Sequence, residues 1–175
     1  MHLDVPGIML FLRATARISG IFLAGAFAAS ALRTLWPSPI TTWMAANRHR
    51  FTLLFALSHT FHLAGIAALA SLVPERLFST PALPATIAGG LGYVLIYSLA
   101  GMAFSRRKNP ELRDARMQTV ILYILWAVFA LAFVAGVRNH AWIYAPLALM
   151  MLLAFAVRIC AKWVSSPRAR ASVAA

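Results

Sequence analysis

The chain has 175 residues, of which 62% are hydrophobic and only 11% charged, with sixteen Lys and Arg against four acids and a formal charge of +12. Soluble domains carry roughly 25% charged residues, so an apolar excess along the whole chain excludes a soluble fold and predicts an all-α, polytopic transmembrane bundle. Most of the basic residues flank apolar runs, where topology and anionic headgroups account for them; the partner they predict is the lipid bilayer, and no nucleic acid is expected.

A single cysteine, Cys160, leaves no internal disulfide and no thiolate metal cluster. The start of the chain does not read as a signal peptide: Asp4 is the only charge before Gly7, and Arg13 and Arg17 interrupt the apolar run that follows. A spanning helix needs about 20 mostly apolar residues. Five stretches qualify, about 9–32, 51–73, 85–104, 117–137 and 142–163, forming one membrane domain with a basic tail over 164–175.

In the first span, Arg13 and Arg17 lie four residues apart and share a helix face. A buried arginine demands an anionic partner, which this chain scarcely offers; the alternative is to snorkel to headgroups. The same span carries the small-residue run AGAFAASA (24–31), and the third carries AGGLG (88–92). Both runs predict close helix approach, which drives association in lipid. Trp36-Pro37-Ser38-Pro39 ends the first span, since two prolines cannot continue a helix.

The second span contains LSHTFHLAG (57–65), with His59 and His62 on one face. They lie about 13 and 18 Å along the helix from Arg50, in mid-membrane, where ionisable groups are costly and face the bundle interior or a cofactor. Two readings follow. Either both rings are neutral and hydrogen-bonded to neighbouring helices, together with Ser58 and Thr60, or they are ligands of a metal or of haem iron. Zinc lacks accompanying Cys, Asp or Glu within the membrane, and a proton relay lacks a carboxylate.

Pro74 opens the second loop, and Pro81 and Pro84 close it. The run SRRKNPELRDAR (105–116), with Glu111 and Asp114, is a solvated connector between the third and fourth spans; Arg138-Asn139-His140 makes a tight hairpin before the fifth. His49 and His140 are expected to be solvated loop residues. Met150 and Met151, near the middle of the fifth span, read as core filler.

Alternating loops put Arg33, Arg48, Arg50, Arg106, Arg107, Lys108, Arg113, Arg116, Arg158, Lys162, Arg168 and Arg170 on one side. The other side has Arg13, Arg17, Arg76 and Arg138. Twelve against four predicts a cytoplasmic C-terminus and an outside, periplasmic N-terminus. The loops hold no Gly-rich phosphate loop, nucleophile elbow or paired carboxylates, and no catalytic residue is assigned.

The stretch NRHRFTLLFALSHTFHL (47–63) resembles the haem-carrying helix of the ferric-reductase-like transmembrane superfamily. ARISGIFLAGAFAASALRTLWP (16–37) and LYILWAVFALAF (122–133) are similar to segments of its small bacterial members, such as the haem-binding membrane partner of methionine sulfoxide reductase. The resemblance implies a bacterial inner-membrane protein that carries b-type haem. It implies His62 as the ligand of the haem iron, with His59 as second choice, and electrons passed to or from a partner protein or quinone. Arg13 and Arg17 would then suit the haem propionates.

One departure stands out. Where family members carry a histidine before the LYILW-like segment, this chain has Gln118. Aligning the spans puts Gln118 level with Thr52 and His62 level with Val128, so a bis-histidine site on spans two and four is not expected. Four alternatives stay open: a five-coordinate iron on His62, a thioether from Met150 or Met151, a ligand from another subunit, or loss of haem. A haem-free accessory subunit is thus the second functional reading. A small transporter is a third, without the internal repeats that such folds carry.

Overall fold

The structure is a computed structural model, and it describes residues 4–108 and 115–165. The connector residues Glu111, Arg113 and Asp114, and the tail from residue 166 with Arg168 and Arg170, lie outside the described residues. The described residues form seven helices and no strand: α1 (Val5–Leu35), α2 (Pro39–Ala46), α3 (Arg48–Leu72), α4 (Glu75–Phe78), α5 (Leu83–Lys108), α6 (Ala115–Val137) and α7 (Ala141–Val164). Five of them, α1, α3, α5, α6 and α7, are long and apolar enough to cross a membrane, matching the five expected spans.

Two short helices were not expected. Pro39 does end the first span's continuation, but it also occupies the first turn of α2, where its missing N–H costs nothing. Ser38 and Thr41 cap that turn reciprocally, backbone to side chain, which lets a helix of eight residues persist. Trp43 on α2 then packs edge-on against Phe51 of α3. The tightness of the 36–48 connection comes from this cap and ring contact.

α1 is the central helix, packing against α3 on one side and against α7 and α6 on the other. Facing pairs give the directions. Leu12 meets Gly65, Thr15 meets His62, Ser19 meets Ser58 and Gly25 meets Phe51, so α1 and α3 are antiparallel. Arg17 meets Tyr144, and Phe27 meets Arg158, so α7 runs parallel to α1. Among the described residues α5 packs against α3, α4 and α6 and not against α1 or α7, so it is the peripheral span.

The main core gathers around Phe27, which is fully buried between Tyr123 and Trp126 of α6. Trp126 donates its indole N–H to the Met151 carbonyl at 3.0 Å and stacks on Phe155. Met151 is fully buried, as the core-filler expectation required, and its methyl group packs near Gly20.

The small residues of α1 do more than permit packing, because they bare its backbone. Arg158 donates to the Phe27 carbonyl at 2.7 Å and to the Tyr123 hydroxyl at 3.1 Å, and it lies over both rings. Arg48 donates to the Ala26 carbonyl at 3.0 Å. Each helix carbonyl has a second lone pair, so an arginine can be satisfied in lipid without an acid.

Candidate functional site

His59 and His62 lie on α3, about 16 and 21 Å from its start at 1.5 Å per residue, so both sit in the middle third of the span. Their rings are 4.8 Å apart and 17° from parallel. α1 supplies their polar partners. Thr15 Oγ1 lies 2.9 Å from His62 Nδ1, and Ser19 Oγ lies 3.2 Å from His59 Nδ1. Ser58 joins the seam, 3.0 Å from Ser19 Oγ and 3.3 Å from the Thr15 carbonyl.

One tautomer of each ring suits this network. A hydroxyl has one proton; Thr15 has the Phe11 and Leu12 carbonyls as acceptors, at 2.9 and 3.1 Å, and Ser19 has the Thr15 carbonyl at 2.8 Å and the Ser58 hydroxyl at 3.0 Å. With the protons so placed, both oxygens accept from a ring protonated at Nδ1, which leaves Nε2 unprotonated; the opposite tautomer would reverse both bonds. The Leu12 carbonyl also bonds the His62 ring. Metal-bound histidines show this arrangement, one nitrogen donating to a fixed partner and the other presenting its lone pair.

The two rings differ in surroundings. His59 is ringed by Phe55, Phe129 and Tyr93, at centroid distances of 5.8, 5.4 and 5.0 Å. His62 is half-buried one turn further on, and the next positions on its helix, Leu63 and Ile66, line an open cleft. The aromatic shell of His59 was not foreseen. Phe129 on α6 and Tyr93 on α5 carry no sequence signal beyond their place in an apolar run.

Thr15 and Ser19 were also missed, although at i, i+4 they share one helix face, as the opposing histidines do at i, i+3. The other expected site residues fall elsewhere. Arg17 stands half a turn from Thr15 and Ser19, so it points to α7, with its guanidinium carbon 5.2 Å from the centre of the Tyr144 ring. Its Nε is buried without a hydrogen-bond partner. Arg13 is exposed. The structure therefore does not bring Arg13 or Arg17 to the histidine pair.

Gln118 lines a cavity of about 20 Å³ with Arg48, His49 and Thr52, room for a single water. It is level with Thr52, as the span alignment predicted, and roughly 15 Å along the helix from His62 at 1.5 Å per residue. His49 is a correction: it belongs to the first turn of α3 and is half-buried at this cavity rather than solvated in a loop. His140 caps the start of α7 and is exposed.

No protein-family model, curated protein sequence or solved structure matches this chain. The site must be judged on its own donors. Among the described residues no group of three or more His, Cys, Asp or Glu could hold a bare metal ion. The histidines lie side by side on one helix, so they cannot occupy opposite faces of one haem. Facing His59 are Phe129 and Tyr93, not a second imidazole. The pair does not fit a bis-histidine haem.

Proposed function

We propose that this chain is an integral membrane electron-transfer protein that carries b-type haem on His62 and exchanges electrons with a redox partner protein or quinone. The observation that carries the reading is the bond between His62 Nδ1 and Thr15 Oγ1, which holds the ring in mid-span by one nitrogen and leaves Nε2 as the nitrogen to meet a ligand. The likeness of residues 47–63 to the haem-carrying helix of the ferric-reductase-like superfamily supports it. Haem, when bound, supplies reversible one-electron chemistry. The chain's own contribution is orientation and dryness: Thr15 holds the ligand ring, Ser19 holds its neighbour, and Phe55, Phe129 and Tyr93 exclude water around His59.

Packing favours a second reading, a haem-free accessory subunit of a larger membrane complex. The aromatic side chains already fill the space around His59, and Gln118 occupies the sequence position where the similar superfamily segments carry a histidine. The two readings part on one measurement. Full-length protein purified after expression with a haem supply shows a Soret band that shifts on dithionite reduction under the first reading. It is colourless under the second.

The superfamily resemblance supports a bacterial inner membrane as the location, and the charge bias supports a periplasmic N-terminus and a cytoplasmic C-terminus. A reporter fused after Ala175 is expected to read cytoplasmic and one inserted near Pro81 periplasmic; the opposite pattern overturns the orientation.

A further inference from the structure

A cleft of about 390 Å³ opens between α3, α4 and α5, within the range of roughly 300–1,000 Å³ that small-ligand sites occupy. Leu63, Ile66, Leu77 and Ala85 make its walls, and Gly89 and Gly90 line α5's side of it. A Cβ built on either glycine meets nothing within 4 Å, so this stretch of α5 is open rather than packed. The two ends of the cleft differ. Arg76 stands at the α4 end, and Tyr93, in ring contact with His59, closes the other. The span from Thr86 to Tyr93 is seven residues, about 10 Å of helix.

We propose that this cleft binds one phospholipid, its phosphate paired with Arg76 and one acyl chain lying along Gly89 and Gly90 toward Tyr93. Three observations select that occupant. First, the lining carries charge at one end only, at Arg76, with the Tyr93 hydroxyl at the other, and a phospholipid is likewise charged at one end only. Second, the helix that carries the cation is anchored: Thr86 of α5 donates to the Leu77 carbonyl at 2.7 Å, which ties α4 to the head of the cleft. Third, Arg76 is exposed and makes no ion pair among the described residues, and the adjoining Glu75 is exposed as well. A guanidinium at membrane depth of a headgroup recognises a phosphate bidentately.

A second copy of the chain fits less well. Any two-fold axis along the membrane normal would bring both Arg76 residues to the same end of the interface. The cleft's occupancy does not depend on haem, so the two proposals fail separately.

The test uses the full chain purified in detergent and titrated with dioleoyl-phosphatidylglycerol, read by native mass spectrometry. Gly90→Leu fills the cleft from a position where a side chain meets no neighbour, and far-ultraviolet circular dichroism checks that it stays folded. The wild type is expected to retain one phospholipid per chain. Gly90→Leu should lose it, and Arg76→Glu should weaken retention by at least about tenfold, since it removes the charge-assisted hydrogen bonds and sets an anion against the phosphate. Equal lipid retention in all three proteins overturns the proposal. So does a wild-type dimer, free of bound lipid, that Gly90→Leu converts to a monomer.

Discussion

α3 lies between two unlike seams. Toward α1 it is close-packed: a Cβ on Gly25 would meet the Phe51 ring at 2.9 Å, and one on Gly65 would meet Leu12 at 2.8 Å. Toward α5 the seam is loose, held by Tyr93 against His59 and by the Thr60–Tyr97 hydroxyl pair at 3.1 Å, with Gly89, Gly90 and Gly92 free of neighbours. The two small-residue runs look alike in sequence. One binds helices together, and the other opens a cleft. In lipid no hydrophobic contrast pulls helices together, so packing quality and interhelical hydrogen bonds decide which seam is rigid. An interhelical bond in a membrane contributes about 0.6 kcal/mol on average, less than the steric cost of overfilling a tight seam. The α1–α3 seam has both, and it is the seam that holds the histidines.

Gly65→Leu should break the contrast most severely. It drives a side chain into Leu12 and Phe11, and overpacking costs about 1–3 kcal/mol. Thermal unfolding in detergent should fall well below that of the same substitution at Gly90. Equal stabilities would mean that the two seams are alike.

Thr15→Val comes next. It removes the acceptor at His62 Nδ1 with little change in volume, and loss of such a partner typically weakens metal-site affinity about 10–100-fold. Haem titration of the apoprotein should show that loss with unchanged circular dichroism. Unchanged affinity would mean that α1 does not orient the ligand. The smallest effect is expected at Gly90→Ala. With open space at its Cβ, alanine there should stabilise α5 by about 0.5–1 kcal/mol, through helix propensity alone. A destabilised variant would reveal a neighbour on this face.

The sequence revealed the spans because twenty apolar residues between prolines or charges have few other uses in a membrane. Their ends moved by only a few residues. The sequence did not reveal direction. AGGLG predicted close approach and faces open space, because glycine records that a helix can come near, not that one does. Pro39 read as a helix terminator, yet a proline that ends one helix is also suited to begin the next. At the site, the intramembrane depth of His59 and His62 was legible from spacing. Their partners were not, since Thr15 and Ser19 look like ordinary helix hydroxyls until the antiparallel register brings them opposite. Arg17 shows the converse. Its charge drew attention, but two residues from Thr15 is half a helical turn, which sends it to Tyr144 instead.

The central claim is that His62, held by Thr15, is the iron ligand and His59 its neighbour. The most direct test is the absorption spectrum of the full-length protein beside its His62→Ala and His59→Ala variants, each oxidised and then reduced with dithionite. The account predicts a Soret band in the wild type, its loss in His62→Ala, and its survival in His59→Ala with an altered reduction potential. A band that survives in His62→Ala and vanishes in His59→Ala would contradict the assignment, and a colourless wild type would contradict the claim that haem binds.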